Sequence, residues 1–170
     1  LFHDEKVEKT TNGHGYIKDL TLAELNELNH GHQFISLDGN SDYLDSDLNC
    51  VTLREVLQKY EQHLFIIDIQ DGPDTYEGSL MPSKLWRLIE ELGAQNRIIV
   101  TSEYSEQTDR FNLYARNSVA LGSSDNDTKK AIATFTSQFG HLYNPKVDVF
   151  QVPIKSGVFN YDAPKFINFL

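Results

Sequence analysis

The sequence has one cysteine, no long apolar run and no cluster of basic residues, and each shortage removes a class of protein. Cys50 is alone among 170 residues, so no internal disulfide forms and the paired thiols of a structural zinc site are absent. It stands between Asn49 and Val51 with no His beside it, which suits a buried or incidental thiol better than a nucleophile. Apolar runs stop at strand length, the longest being residues 64–69 and 97–101, whereas a membrane-spanning helix needs about 18–20 such residues. The net charge is −10, from 15 Lys and Arg against 25 Asp and Glu. Binding a phosphate backbone needs the opposite balance or a basic stripe, so nucleic acid is not an expected partner. The acidity reads as a solvated surface. No Gly-rich loop follows a strand in the manner of a dinucleotide or P-loop site. Asn12-Gly13-His14-Gly15 has no strand close before it and reads as a turn. Signal-peptide pattern, internal repeat and low-complexity tract are all missing. None of this decides compartment, oligomeric state or membrane association.

What is present is an ordinary globular composition, 39% hydrophobic and 24% charged, in a length sufficient for one domain with a sizeable core. Thr21-Leu22-Ala23-Glu24 and Thr52-Leu53-Arg54-Glu55 are capping boxes, each with a hydroxyl for the early helix N–H groups and a carboxylate reaching back. Leu22, Leu25 and Leu28 follow the first, and Val56, Leu57 and Tyr60 the second, so two helices start there. Leu64-Phe65-Ile66-Ile67-Asp68-Ile69 predicts a strand buried on both faces, broken by Gly72-Pro73. Leu85, Leu88, Ile89 and Leu92 form a helical stripe that Gly93 stops. Residues 97–101 predict a second buried strand, 107–115 a helix and 118–121 a weaker strand. A helix opens at Asp127 or Thr128 and runs through Phe139, with Gly140 near its end. Residues 147–152 predict a fourth strand, closed by Pro153. Residues 37–49, rich in Asp, Ser, Gly and Asn, predict a long surface loop.

Strand and helix therefore alternate from Leu64 onward, which predicts parallel, sequentially adjacent strands joined by right-handed crossovers. A doubly wound sheet and a (β/α)8 barrel both satisfy that order. Two residues invite chemistry. His3, beside Asp4 and after an apolar pair, fits the C-terminal end of a strand, where α/β barrels carry their sites. Asp68, inside an apolar run, needs a partner: a buried ion pair or cap on one reading, a cation on the other. Asp71 and Asp74 beyond it read as solvated turn residues.

The combination resembles one family. His3-Asp4, Val7, Lys9-Thr10-Thr11-Asn12-Gly13, Gly15, Ile17, Asp19-Leu20-Thr21-Leu22-Ala23-Glu24-Leu25 is similar to the His-Asp…Arg-Thr-Thr-Asn-Gly-x-Gly…Thr-x-x-Glu-Leu signature of glycerophosphodiester phosphodiesterases. Val51-Thr52-Leu53-Arg54-Glu55-Val56-Leu57 resembles that family's Pro-Thr-Leu-x-Glu-Val-Leu element. Phe65-Ile66-Ile67-Asp68-Ile69-Gln70 falls where the family has a strand ending Glu-x-Lys. Residues 98–102 and 150–153 resemble later strands. The resemblance is specific mainly in residues 3–25 and 51–70.

What it implies is a (β/α)8 barrel, here partial. A typical barrel of this kind needs about 250 residues, so residues 1–170 read as one incomplete domain. The chain opens at Leu1-Phe2-His3-Asp4 without Met and closes on an apolar stretch without a helix stop, so both ends read as cuts. The first and last strands are expected to lie outside it, leaving sheet edges that favour association. The implied activity is hydrolysis of a glycerophosphodiester, a small-molecule substrate, to glycerol 3-phosphate and an alcohol, with a divalent cation, Ca2+ or Mg2+. By resemblance, His3 matches the second of two acid/base His residues. Asp68 matches a metal-binding Glu, one methylene shorter. Gln70 stands where the family has a phosphate-holding Lys. The first His and a Glu-x-Asp metal pair normally precede position 3, so these residues alone are expected to be inactive. Lys9 replaces Arg and Val51 replaces Pro. A second reading, a barrel that has lost catalysis and binds a phosphate- or polyol-bearing ligand, draws on the Glu→Asp and Lys→Gln differences. An unrelated flavodoxin-like domain leaves residues 3–25 unexplained.

Overall fold

The computed structural model describes residues 1–44, 46, 48–137, 140–156 and 159–170. By its contacts the chain divides into two compact units, Leu1–Glu61 and Gln62–Leu170.

The first unit is built from short pieces. Single 3-10 turns occupy Val7–Lys9 and Ile17–Asp19, and an antiparallel bridge between Lys6 and Tyr16 brings their approaches together. Val7 N–H donates to Gly15 O at 3.1 Å and Ile17 N–H to Glu5 O at 2.9 Å, so residues 12–15 form the expected turn. Gly15 turns the chain at φ +109°, a conformation that favours glycine. Helix α1 (Leu22–Asn26) and helix α2 (Leu53–Lys59) start at Thr21 and Thr52, as the capping boxes predict. Each box is closed both ways: Glu24 N–H donates to Thr21 Oγ1 at 3.3 Å, and Thr21 N–H to Glu24 Oε2 at 2.7 Å. Thr52 and Glu55 repeat it at 3.2 and 2.8 Å. Leu25 and Leu57 are the buried residues of the two helices.

The boxes make a pH prediction. The Thr21 and Thr52 backbone N–H groups, then the same residues' hydroxyls, hold the Glu24 and Glu55 carboxyls below their ordinary 4.5. A depressed folded-state pKa contributes stability above the unfolded value, lost as pH falls through the folded value. Helices α1 and α2 should therefore be fully capped above the ordinary 4.5 and fray only as pH falls through the depressed folded values. In an NMR titration both carboxyls should turn over below 4.5, with the Thr21 and Thr52 amide shifts moving alongside. A midpoint at or above the ordinary value would mean the boxes are open in solution.

The second unit carries the alternating elements: strand β1 (Phe65–Asp68), helix α3 (Tyr76–Glu91), strand β2 (Ile98–Thr101), helix α4 (Ser105–Ala115), strand β3 (Ala120–Leu121) and helix α5 (Asp125–Thr136). The three strands form a parallel sheet in the order β1-β2-β3, with Phe65 opposite Ile98 and Ile99 opposite Ala120. Helix α3 lies on α4, with Trp86 edge-on to Phe111 at 6.3 Å between ring centres. Beyond α5 come a hairpin of β4 (Lys155–Ser156) and β5 (Phe159–Asn160), which sequence periodicity does not reveal, and helix α6 (Pro164–Ile167). These elements enclose an aromatic core. Phe166 is fully buried there, edge-on to Phe135 and Phe159, and Tyr143 stacks on Phe169.

Within the second unit the structure corrects three expectations of burial and secondary structure. Strand β1 is not buried on both faces: Phe65 and Ile67 are half-buried while Ile66 and Asp68 are exposed, the alternation of an edge strand covered on one side. Strand β2, in the middle of the sheet, is buried at Ile98, Val100 and Thr101 and half-buried at Ile99. Residues 147–152 form no strand, only a single parallel bridge between Val149 and Gly122. Side chains there take donors that a ladder would use. Asp148 Oδ2 accepts from Leu121 N–H at 2.9 Å, and Ser123 Oγ accepts from Gln151 N–H at 3.2 Å. Helix α5 opens two or three residues earlier than expected, because Ser124 caps it through a box with Asp127. It ends by Thr136, and Phe139 lies outside the described residues.

Helix α3 contains the Leu85–Leu92 stripe, starts ahead of it at Tyr76, and runs through Pro82. A proline has no N–H, so the carbonyl four residues back, Gly78 O, loses its intrahelical donor. Gln107 of α4 supplies one instead: its Nε2 donates to Gly78 O at 3.0 Å. The helix ends as expected at Gly93, which adopts φ +61°.

Candidate functional site

His3 stands in the first unit, and its side chain is 78% exposed. Leu1 and Phe2 form no strand, so the expected strand end before His3 is not seen. His3 Nδ1 is 3.6 Å from Asp4 Oδ1, beyond hydrogen-bond length. Asp4 is fixed from the other side by Lys9, whose Nζ donates to the same oxygen at 2.7 Å. That hydrogen bond is the largest cause holding the Asp4 carboxyl below its ordinary value, with Lys9's charge and His3 adding to it. Asp4 thus stays anionic beside an imidazole open to solvent. Lys9, where the resemblance has Arg, is in this way part of the His3 surroundings.

Asp68 and Gln70 stand in the second unit, at and just past the C-terminal end of β1. Residues two apart on a strand share a face, and here they touch: Gln70 Nε2 donates to Asp68 Oδ2. Both side chains are exposed, so Asp68 is not the buried carboxylate its apolar neighbours suggest. The amide carries two N–H groups, and one donated to Asp68 leaves a second to offer elsewhere.

A set of residues that sequence reasoning missed fixes the segment after Gln70. Ser102 Oγ donates to Ile69 O at 2.7 Å and accepts from Tyr104 N–H at 3.1 Å. Gln107 Nε2 donates to Asp71 O at 2.7 Å as well as to Gly78 O. Arg110 Nη1 donates to Pro73 O at 3.1 Å. Three side chains from the β2–α4 stretch therefore hold four backbone carbonyls of the β1–α3 stretch. The one sequence signal was Pro82 within a helical pattern, which orphans a carbonyl and calls for a distant donor.

Among the described residues no group of three or more His, Cys, Asp or Glu side chains is placed to hold a metal ion. A Ca2+ ion takes 6–8 oxygens and Mg2+ an octahedron, so Asp68 with the Gln70 amide does not make a cation site by itself. No helix among the described residues is long and apolar enough to cross a membrane.

Parallel strands alternating with helices, with Asp68 and Gln70 at a strand's C-terminal end, place the chain in the α/β class and fit a partial (β/α)8 barrel. Comparison with known proteins agrees and goes further. Residues 1–79 match the model of the glycerophosphoryl diester phosphodiesterase family. The chain is 37% identical over 84 residues to the glycerophosphodiester phosphodiesterase of Bacillus subtilis (strain 168), an overlap of 46% of this chain and 27% of that one. It is 33% identical over 104 residues to that of Caldanaerobacter subterraneus subsp. tengcongensis, covering 60% of this chain and 39% of that one. Among solved structures, the glycerophosphodiester phosphodiesterase from Agrobacterium tumefaciens str. C58 matches with a TM-score of 0.57 and 19% identity, over 72% of this chain and 46% of that one. The glycerophosphoryl diester phosphodiesterase domain of an uncharacterised Mycobacterium tuberculosis protein matches with a TM-score of 0.66 and 16% identity, over 81% and 48%. The chain thus spans less than half the length of each of these relatives. The family resemblance carried by residues 3–25 and 51–70 is borne out.

Proposed function

We propose that the protein carrying these residues hydrolyses a glycerophosphodiester to glycerol 3-phosphate and an alcohol, in the presence of a divalent cation, Ca2+ or Mg2+. The observation that supports this most is the match of residues 1–79 to the family, together with the exposed Asp68–Gln70 pair at the C-terminal end of a parallel strand. His3 serves as one proton-transfer group: its ring is exposed to solvent beside Asp4, and an imidazole so placed can exchange a proton with a leaving alkoxide. Asp68 is one carboxylate ligand of the cation. Gln70 directs its second N–H at a phosphate oxygen.

The described residues contain one acid/base His of this assignment and one carboxylate ligand. The 170 residues by themselves should therefore show no turnover of glycerophosphocholine with Mg2+ or Ca2+ above a His3→Ala control. The complete gene product should turn it over and lose activity to a chelator. Absence of turnover in the complete product would overturn the hydrolase reading. The loss of a cationic Lys at Gln70 favours a second reading, a barrel that binds a phosphate- or polyol-bearing ligand without cleaving it. Saturable calorimetric binding of glycerophosphocholine without product would establish that one.

A further inference from the structure

We infer that Gln107 is a positioning residue, which acts on the candidate site by fixing the backbone that leads out of Asp68 and Gln70. The inference rests on the reading of Asp68 and Gln70 given above. Gln107 is fully buried, and both hydrogen bonds of its side chain go through Nε2, since its Oε1 has no partner. The two acceptors differ in kind. Gly78 O lies within α3 and lacks its own donor because of Pro82. Asp71 O lies in the loop directly after Gln70. One amide thus ties a defect in the helix to the segment that aims the site. Ser102 at Ile69 O and Arg110 at Pro73 O hold the same loop on either side of Asp71. Donors that read only carbonyls constrain the path of the backbone whatever side chains it carries. Ile69 N–H, between the two site residues, is bonded to Thr101 O at 2.9 Å, so the strand end is held on its ladder as well.

The two acceptors allow a structural role to be separated from a positioning one. Gln107→Met keeps the side-chain length and removes both donations. Adding Pro82→Ala returns an N–H to Gly78 O and leaves Asp71 O unpartnered. In the complete gene product, Gln107→Met should lower kcat/KM for glycerophosphocholine about ten- to a hundredfold, the range over which a small misplacement acts. An Ile89→Val variant in the buried face of α3 should lower the melting temperature while keeping kcat/KM within about twofold. The Gln107→Met/Pro82→Ala variant should recover part of the melting temperature but not kcat/KM. Recovery of both together, or a Gln107→Met enzyme within about twofold of wild type, would overturn the inference and leave Gln107 structural. An Asp68→Ala arm separates the two levels: full activity there removes the site itself, and the positioning role goes with it.

Discussion

Replacing Gly78 by alanine should destabilise the second unit by about 3–5 kcal/mol, although Gly→Ala within a helix ordinarily gains up to about 1 kcal/mol. The sign is decided by what a Cβ would meet. An ideal Cβ on Gly78 lies 2.0 Å from Gly72 O, 2.7 Å from Thr75 Oγ1 and 2.9 Å from Gly72 C. Two of these three are backbone atoms. Gly72 O cannot swing aside cheaply, because it accepts from Thr75 N–H at 3.2 Å and from Thr75 Oγ1 at 2.9 Å. Thr75 Oγ1 in turn accepts from Gly78 N–H at 3.0 Å as the N-cap of α3. Relief of the overlap therefore breaks the cap, worth about 1 kcal/mol, and pulls Gly78 O away from the buried Gln107 amide, leaving that donor exposed to the penalty of an unmade bond. Chemical denaturation of wild type and Gly78→Ala measures the difference directly. An unchanged or raised midpoint would show that the first turn of α3 is not packed against Gly72 in solution.

The same corner of the molecule shows where sequence reasoning stops. The starts of α1 and α2 were legible at Thr21 and Thr52 because a capping box is closed within four residues. Strand β2 was legible because in the middle of the sheet none of its residues is exposed, which is what an apolar run encodes. Strand β1 carries nearly the same run, yet it sits at an edge, and no pattern within 64–69 distinguishes the two. The start of α3 lies ahead of the Leu85–Leu92 stripe, and the donor that replaces the N–H missing at Pro82 comes from Gln107, 29 positions from the Gly78 carbonyl it serves. The fourth parallel strand was over-read. Its composition suits a strand, but Asp148 and Ser123 compete locally for the ladder's N–H groups. At the candidate site, the shared face of Asp68 and Gln70 followed from the period of two, and their hydrogen bond agrees. Their exposure did not follow, because it depends on what covers the strand rather than on the strand.

That exposure sharpens what Asp68 and Gln70 should do when altered. In the complete gene product Asp68→Ala should weaken cation binding by at least about 10–100-fold, the loss that removing even an outer partner of a metal ligand causes. It should lower kcat in proportion, with little change in stability, since an exposed side chain leaves no cavity when truncated. Gln70→Lys should act in the opposite direction on binding. A Lys at 70 keeps a donor toward Asp68 and brings a charge toward the diester, and a charge-assisted hydrogen bond is roughly twice as strong as a neutral one. KM for an anionic diester should therefore fall. The Lys also competes with the cation for the Asp68 carboxylate, so the gain in KM should be accompanied by a higher cation concentration at half-maximal rate. Calorimetric cation titration and steady-state kinetics at several Ca2+ and Mg2+ concentrations read both effects. Unchanged cation affinity in Asp68→Ala would make Asp68 a solvated carboxylate capped by Gln70, and would move the cation to other ligands. If Gln70→Lys lowered KM without any shift in cation requirement, Gln70 would face the phosphate while Asp68 stood apart from the metal.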